Sequence, residues 1–201
     1  MLKNIGADLR LVPPKPYKDD GNYVKVAGRL ADELKSTNNY GVVWANQFDN
    51  TANAKGHYET TGPEIWDQTN GEITHLISGI GTSGTVMGTG RYLKSMNEKI
   101  KIVGVQPDEP LHGLEGLKHI PSSIVPGIYN EEELDILYNA NTEKSYLIME
   151  KLMQLEGMFV GHSGGAVVLS ALEILRESDA ANIVCVIPDG GYRYLSGGVW
   201  W

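Results

Sequence analysis

The residues with the clearest chemical content lie in GIGTSGTVMGTG, Gly79 to Gly90. An apolar run, ITHLIS, precedes this stretch and a helical-looking run, RYLKSMN, follows it. A turn of small residues between strand and helix leaves backbone N–H groups open, and the helix dipole adds partial positive charge, so the arrangement suits an anion. Gly79, Gly81 and Gly84 spell G-x-G-x-x-G, the dinucleotide pattern. That pattern expects an acidic residue at the end of the next strand, roughly 20 residues on, to hold the ribose. The next strand, KIVGVQP, ends at Gln106, and Asp108 lies past Pro107. Thr82, Ser83 and Thr85 add three hydroxyl donors. This enrichment suits the several oxygens of a terminal phosphate monoester better than a pyrophosphate lying across bare glycine. A turn that only permits close helix–strand packing is the plain alternative.

EGMFVGHSGGAVVLSALEIL repeats the design: a short strand, then Gly161-His162-Ser163-Gly164-Gly165, then a helix. Ser163 could cap that helix, or offer its hydroxyl to a ligand held at the first loop. Gly161, Ser163 and Gly165 also match G-x-S-x-G. No histidine follows Ser163, so the chain order of an α/β-hydrolase is not met. His57, His75, His112 and His119 show no metal-ligand spacing, and surface or packing roles are expected for them. Cys185, alone in the apolar run NIVCVIP, reads as a small buried hydrophobe.

These loops need a scaffold. Short β-like runs (DLRLVP, GVVWA, ITHLISGI, KIVGVQP, LDILYNA, MFVG, NIVCVIPDGG) alternate with helical ones (NYVKVAGRLADELKS, TVMGTGRYLKSMN, TEKSYLIMEKLMQLEG, GGAVVLSALEILRES). The alternation predicts an α/β fold with a mainly parallel sheet and helices on both faces. In the third helix, Thr142 with Lys144 and Ser145 reads as the start and Gly157 as the stop. Residues 46–70 are polar and carry Pro63, and residues 107–130 are rich in Gly and Pro. Both read as long connections, which tend to be functional. LKNIGADLRLVP reads as a last helical turn feeding a strand.

Composition narrows the class further. The 201 residues carry a formal charge of −8 with no basic run, which argues against extended nucleic-acid binding. No apolar stretch reaches membrane-spanning length, and the start lacks a signal-peptide core, so a cytoplasmic location with no membrane partner is expected.

Five segments together resemble the cysteine synthase (O-acetylserine sulfhydrylase) family: QFDNTANAKGHYETTGPEIW (47–66), GIGTSGTVMGTGRYLK (79–94), EGLKHIPSSIVPGIY (115–129), EGMFVGHSGGA (156–166) and PDGGYRYLS (188–196). The 115–129 loop looks closer to the B-type branch. The resemblance implies the tryptophan-synthase-β-like fold, with residues 1–45 from the smaller N-terminal domain and 46–201 forming the larger, cofactor-binding one. It implies pyridoxal 5'-phosphate as cofactor. The implied reaction is β-replacement on an activated serine (O-acetylserine or O-phosphoserine) with sulfide or a sulfur carrier, in a homodimer. The family's phosphate loop G-T-G-G-T falls on Gly81, Thr82, Ser83, Gly84 and Thr85. The serine facing the pyridine nitrogen falls on Ser163, and the substrate-binding glutamine on Gln47. No metal is implied.

Departures from the pattern are also present. Ser83 replaces a glycine, Gly164 a second serine, His162 an aliphatic residue and Gly197 a threonine. The family's Schiff-base lysine (S-x-K-x-R) and its T-S-G-N-T loop have no match in these residues. The resemblance therefore implies that the first third of a family member is not in this chain, and no catalytic residue is assigned within it. Lys25, the nearest upstream lysine, fits no catalytic pattern. The expectation is a chain that is inactive by itself. The alternatives are a non-catalytic remnant or dimerisation partner that binds the cofactor weakly, and an NAD-dependent oxidoreductase.

Overall fold

The computed structural model describes residues 2–176 and 182–197. The chain divides into two compact units, Met1–Gln47 and Phe48–Trp201.

The first unit is built on one helix, α1 (Tyr23–Thr37), after a short 3₁₀ turn at Leu2–Ile5. Asn22 caps α1 by accepting from the Val24 N–H at 3.0 Å and donates its own amide to Lys15 O at 2.7 Å. A glycine at position 28 leaves room for the Trp44 ring, which would lie 3.1 Å from a Cβ there. The strands expected at DLRLVP and GVVWA do not form. A strand exists only through a ladder partner, and among the described residues of this unit neither segment has one. Lys25 is engaged locally, 3.3 Å from the Asp20 carboxylate and 3.3 Å from Lys18 O.

The second unit carries a four-stranded, wholly parallel sheet. Its elements run α2 (Ala52–Glu59), α3 (Thr61–Gln68), β1 (His75–Gly79), α4 (Gly84–Met96), β2 (Lys101–Pro107), β3 (Ile136–Ala140), α5 (Thr142–Glu156), α6 (His162–Leu175) and β4 (Ile183–Cys185). The strand order is β3-β2-β1-β4. Ile77 of β1 is flanked by Val103 of β2 and by Cys185 of β4. Alternate side chains feed opposite faces, as the strand period requires. Leu76 and Ile102 join Ala54, Ile65, Val86, Met87 and Leu93 on the face covered by α2, α3 and α4. Ile77, Val103 and Val105 join Ala166, Val167 and Ala171 on the face covered by α6, against which α5 packs. Residues buried on both faces explain the nearly continuous apolar strands. No helix among the described residues is long and apolar enough to cross a membrane.

Several local expectations need correction. The 46–70 segment is not a loop but holds α2 and α3. Pro63 sits in the first turn of α3, where its missing N–H has no intrahelical acceptor to lose. MFVG forms no strand and contributes a single bridge, Val160 to Gly190. α5 is capped by Asn141, which accepts from the Lys144 N–H, and stops at Gly157 with φ +67°. The expected tail of α6 at Glu177 and Ser178 lies outside the described residues.

Candidate functional site

The strand order sets the site. From β1 the sheet runs one way to β2 and the other way to β4, so the chain ends leaving β1 and β4 diverge and open a crevice, where ligands of open α/β sheets bind. A cleft of about 310 Å³ lies there, lined by Gly79 at the end of β1 and Gly81, Thr82 and Ser83 after it, by Val186, Pro188 and Asp189 after β4, and by Ser163 at the start of α6. Glu115, Gly116 and Leu117 of the long 107–130 connection form another wall.

The loop after β1 is shaped by close approach. A Cβ on residue 81 would lie 2.6 Å from Gly116 O, so only glycine lets the two loops meet. Ser83 precedes α4 in the left-handed conformation, with φ +69°. That region costs a non-glycine residue on the order of 1–3 kcal/mol. The Ser83 hydroxyl donates to Thr82 O at 2.6 Å. The first-turn N–H groups of α4 have no partner within the helix, and the dipole of a 13-residue helix adds to them.

The structure brings Gly81, Thr82, Ser83, Thr85 and Ser163 to this one cleft. Ser163 is 4% exposed and does not cap α6, since the N-cap is Gly161. Gly84 plays a different part: a side chain there would collide with Asn53 of α2. Gln47 is exposed in a turn at the end of the first unit. Gln106, at the position where a ribose-holding acid would stand, accepts from Ile120 N at 2.9 Å and donates to Asn139 at 2.8 Å.

The motifs assign no role to several other residues at the site. The Asn53 amide donates to Thr82 Oγ1 at 3.0 Å. His57 Nε2 lies 3.0 Å from Thr85 Oγ1, and its Nδ1 lies 2.8 Å from Thr61 Oγ1. Desolvation lowers the proton affinity of His57. Tyr194 donates to Asp189 Oδ2 at 2.6 Å, and burial together with that carboxylate raises its pKa. His162 is buried and stacks on Tyr194 with ring centroids 4.0 Å apart, so its ring supports the wall that carries Asp189. Beyond their place in the 47–66 segment, the signal in the sequence for Asn53 and His57 is their i, i+4 spacing, which is visible as such only once residues 52–59 are known to be helical. Among the described residues lining the cleft, Arg193 is the one cation and no lysine is present. No cluster of described His, Cys, Asp or Glu residues could hold a metal.

The cleft can therefore bind an anion through backbone N–H groups and hydroxyls, and can present a neutral hydroxyl, Ser163, to the rest of the same ligand. Known proteins agree with the fold. Residues 1–189 match the family of pyridoxal-phosphate dependent enzymes. A cysteine synthase of Aquifex aeolicus is 43% identical over 200 residues, covering 98% of this chain and 59% of the relative. A cysteine synthase B of Pseudomonas aeruginosa is 40% identical over 195 residues, covering 97% and 62%. The crystal structure of a cysteine synthase from Entamoeba histolytica matches with a TM-score of 0.85 at 30% identity, covering 99% of this chain and 59% of that one. The chain thus spans less than two thirds of the length of these relatives.

Proposed function

Because the chain belongs to the family of pyridoxal-phosphate dependent enzymes, we propose that its cleft is the phosphate- and ring-binding part of a pyridoxal 5'-phosphate site serving cysteine synthesis. The observation that carries this reading is the hydroxyl-rich loop at the N-terminus of α4 facing Ser163 across the cleft. Gly81 to Thr85 would hold the phosphate: Thr82 and Thr85 through hydroxyls, and Ser83 and the first turn of α4 through N–H groups. Ser163 would face the pyridine nitrogen. The cofactor, when bound, supplies an electron sink for carbanion chemistry at an amino acid.

A neutral serine hydroxyl does not enforce ring protonation as a carboxylate would, so Ser163 moderates that sink. Moderation suits exchange of a β-substituent, here that of O-acetylserine or O-phosphoserine for sulfide or a carried sulfur. Gln47 is assigned to binding that amino-acid substrate, and a homodimer is the assembly proposed for the whole protein. The cleft's acidic wall, Glu115 and Asp189, keeps further anions away from the ring side and leaves the α4 turn as the anion's place.

The 201 residues by themselves hold the cofactor without a covalent bond, since no lysine lines the cleft among the described residues. That observation also favours a second reading, a cofactor-binding protein without turnover that pairs with an intact copy. One experiment addresses both. The purified chain is mixed with pyridoxal 5'-phosphate, reduced with borohydride, digested and analysed by mass spectrometry. Saturable binding with no modified lysine is expected. A cofactor fixed on Lys25, or on any other lysine, would sink the non-covalent reading, and NADH bound in place of the cofactor would sink the assignment altogether.

A further inference from the structure

Two hydroxyls of the phosphate loop are held from behind by one short helix. Asn53 and His57 stand four residues apart on α2 and so share a face. They meet Thr82 and Thr85, one residue before and two residues after the left-handed Ser83. The approach is possible because α4 carries glycine at the matching i, i+4 positions. A Cβ at Gly84 would strike the Asn53 side chain, and one at Gly88 would strike Ala54 O and lie 2.9 Å from the His57 Cβ.

A hydroxyl has one proton to give. The Asn53 amide is a donor, so Thr82 Oγ1 accepts from it and the Thr82 proton points elsewhere. His57 can do the same for Thr85 only in one tautomer. With Thr61 donating to Nδ1, the imidazole proton sits on Nε2 and is donated to Thr85 Oγ1. The Thr85 proton is then free. In the other tautomer Thr85 spends its proton on His57, and the cleft loses a donor. We propose that Asn53 and His57 are positioning residues that turn the hydroxyl protons of Thr82 and Thr85 into the cleft, so that both donate to a bound phosphate monoester. The inference rests on the assignment of this loop to a phosphate. The proton directions run from Thr61 to His57 to Thr85 to phosphate, with no net charge moved and no bond broken.

The test compares binding of pyridoxal 5'-phosphate with binding of pyridoxal, which lacks the phosphate, to the 201-residue protein. His57→Leu should weaken pyridoxal 5'-phosphate about tenfold, as expected for one charge-assisted hydrogen bond, and leave pyridoxal affinity unchanged. His57→Gln, whose amide N–H can replace Nε2–H, should stay within about twofold of the wild type. Thr61→Val should weaken only the phosphorylated ligand, by about threefold. Once Thr85→Val is present, His57→Leu should cost nothing more, because its only route to the ligand is gone. Equal losses for both ligands, failure of His57→Gln to rescue, or additive losses in the double variant would each overturn the proposal. If His57→Leu does not fold, judged by circular dichroism, Thr61→Val and Thr85→Val take its place: non-additive losses support the proposal and additive losses overturn it. A wild type that binds the two ligands equally, with Thr85→Val silent, is a separate outcome: the phosphate reading itself then fails, and this inference falls with it.

Discussion

Ser83 concentrates the tension between stability and ligand binding at a single residue. Its φ of +69° belongs to glycine, yet its hydroxyl lines the cleft. Ser83→Gly relieves the backbone but gains unfolded-chain entropy, so the net gain should be about 1 kcal/mol, read as a higher urea midpoint. The same change removes the hydroxyl that ties down Thr82 O, so it should loosen the loop and weaken phosphate binding, a trade expected at functional positions. A destabilised Ser83→Gly would show that the hydrogen bond to Thr82 O outweighs the strain. Burial pushes the Cys185 thiol up to about 11, so the reactive thiolate is scarce near neutrality. Cys185 is half-buried on β4, so thiol reagents should label it more slowly in the folded protein than in denaturant, and equal rates would contradict the raised pKa. The Gly79–Thr85 turn proposed to hold an anion is legible in the sequence as a run of glycines and hydroxyls between a strand and a helix. The strain at Ser83 is not, since serine's identity does not reveal its φ. His57 also escapes, reading as a surface or packing residue, because its partner Thr85 is 28 positions away and no spacing rule links them.

Elements are legible where periodicity runs long. α1, α4, α5 and α6 carry three or more turns each, and β1 and β2 are apolar on both faces, so a parallel sheet between helices can be read before any coordinates. The eight-residue helices α2 and α3 cannot, since Gly56, Pro63 and many polar side chains hide a stripe that buries only Ala54, Gly62 and Ile65. The strands expected at DLRLVP, GVVWA and MFVG fare worse, because a ladder partner and not the local sequence decides a strand. Between elements, a carboxylate clamp makes stability depend on pH. Asp135, just before β3, accepts from Lys94 of α4 at 2.8 Å, from Lys101 of β2 at 3.0 Å and from the Ile102 N–H at 2.9 Å. Burial alone would raise its pKa, but the bonds from Lys94, Ile102 and Lys101 outweigh burial and hold it at about 2, below the ordinary 3.8. The clamp's contribution is complete above that ordinary value and disappears as pH falls through about 2. Asp135→Asn should lose about 1–2 kcal/mol at pH 7, allowing for solvent screening, and the gap to the wild type should close between pH 4 and 2. A gap that persists unchanged in acid would mean that the carboxylate's charge is not what binds these elements.

For the whole molecule, the division between Gln47 and Phe48 bears on which residues can fold by themselves. Both apolar clusters are drawn from within the second unit: residues 54–120 and their partly buried neighbours on one face, residues 77–171 and theirs on the other. All four strands and every described cleft-lining residue lie there too. The first unit contributes one helix with a single buried residue, Ala31. Residues 48–201, about 150 in number, are also long enough to bury most of the surface their unfolded chain exposes. A chain starting at Phe48 should therefore unfold in one cooperative step and keep the selectivity for a phosphorylated over a non-phosphorylated pyridoxal, because the loop, α2 and Ser163 remain. It should lose whatever Gln47 contributes to an amino-acid substrate, which separates cofactor binding from substrate binding in one deletion. Thermal melting by circular dichroism and the two-ligand comparison measure these outcomes. A non-cooperative melt, or loss of phosphate selectivity in a cooperatively folded product, would mean that residues 1–47 help to shape the cleft and that the two units do not act independently.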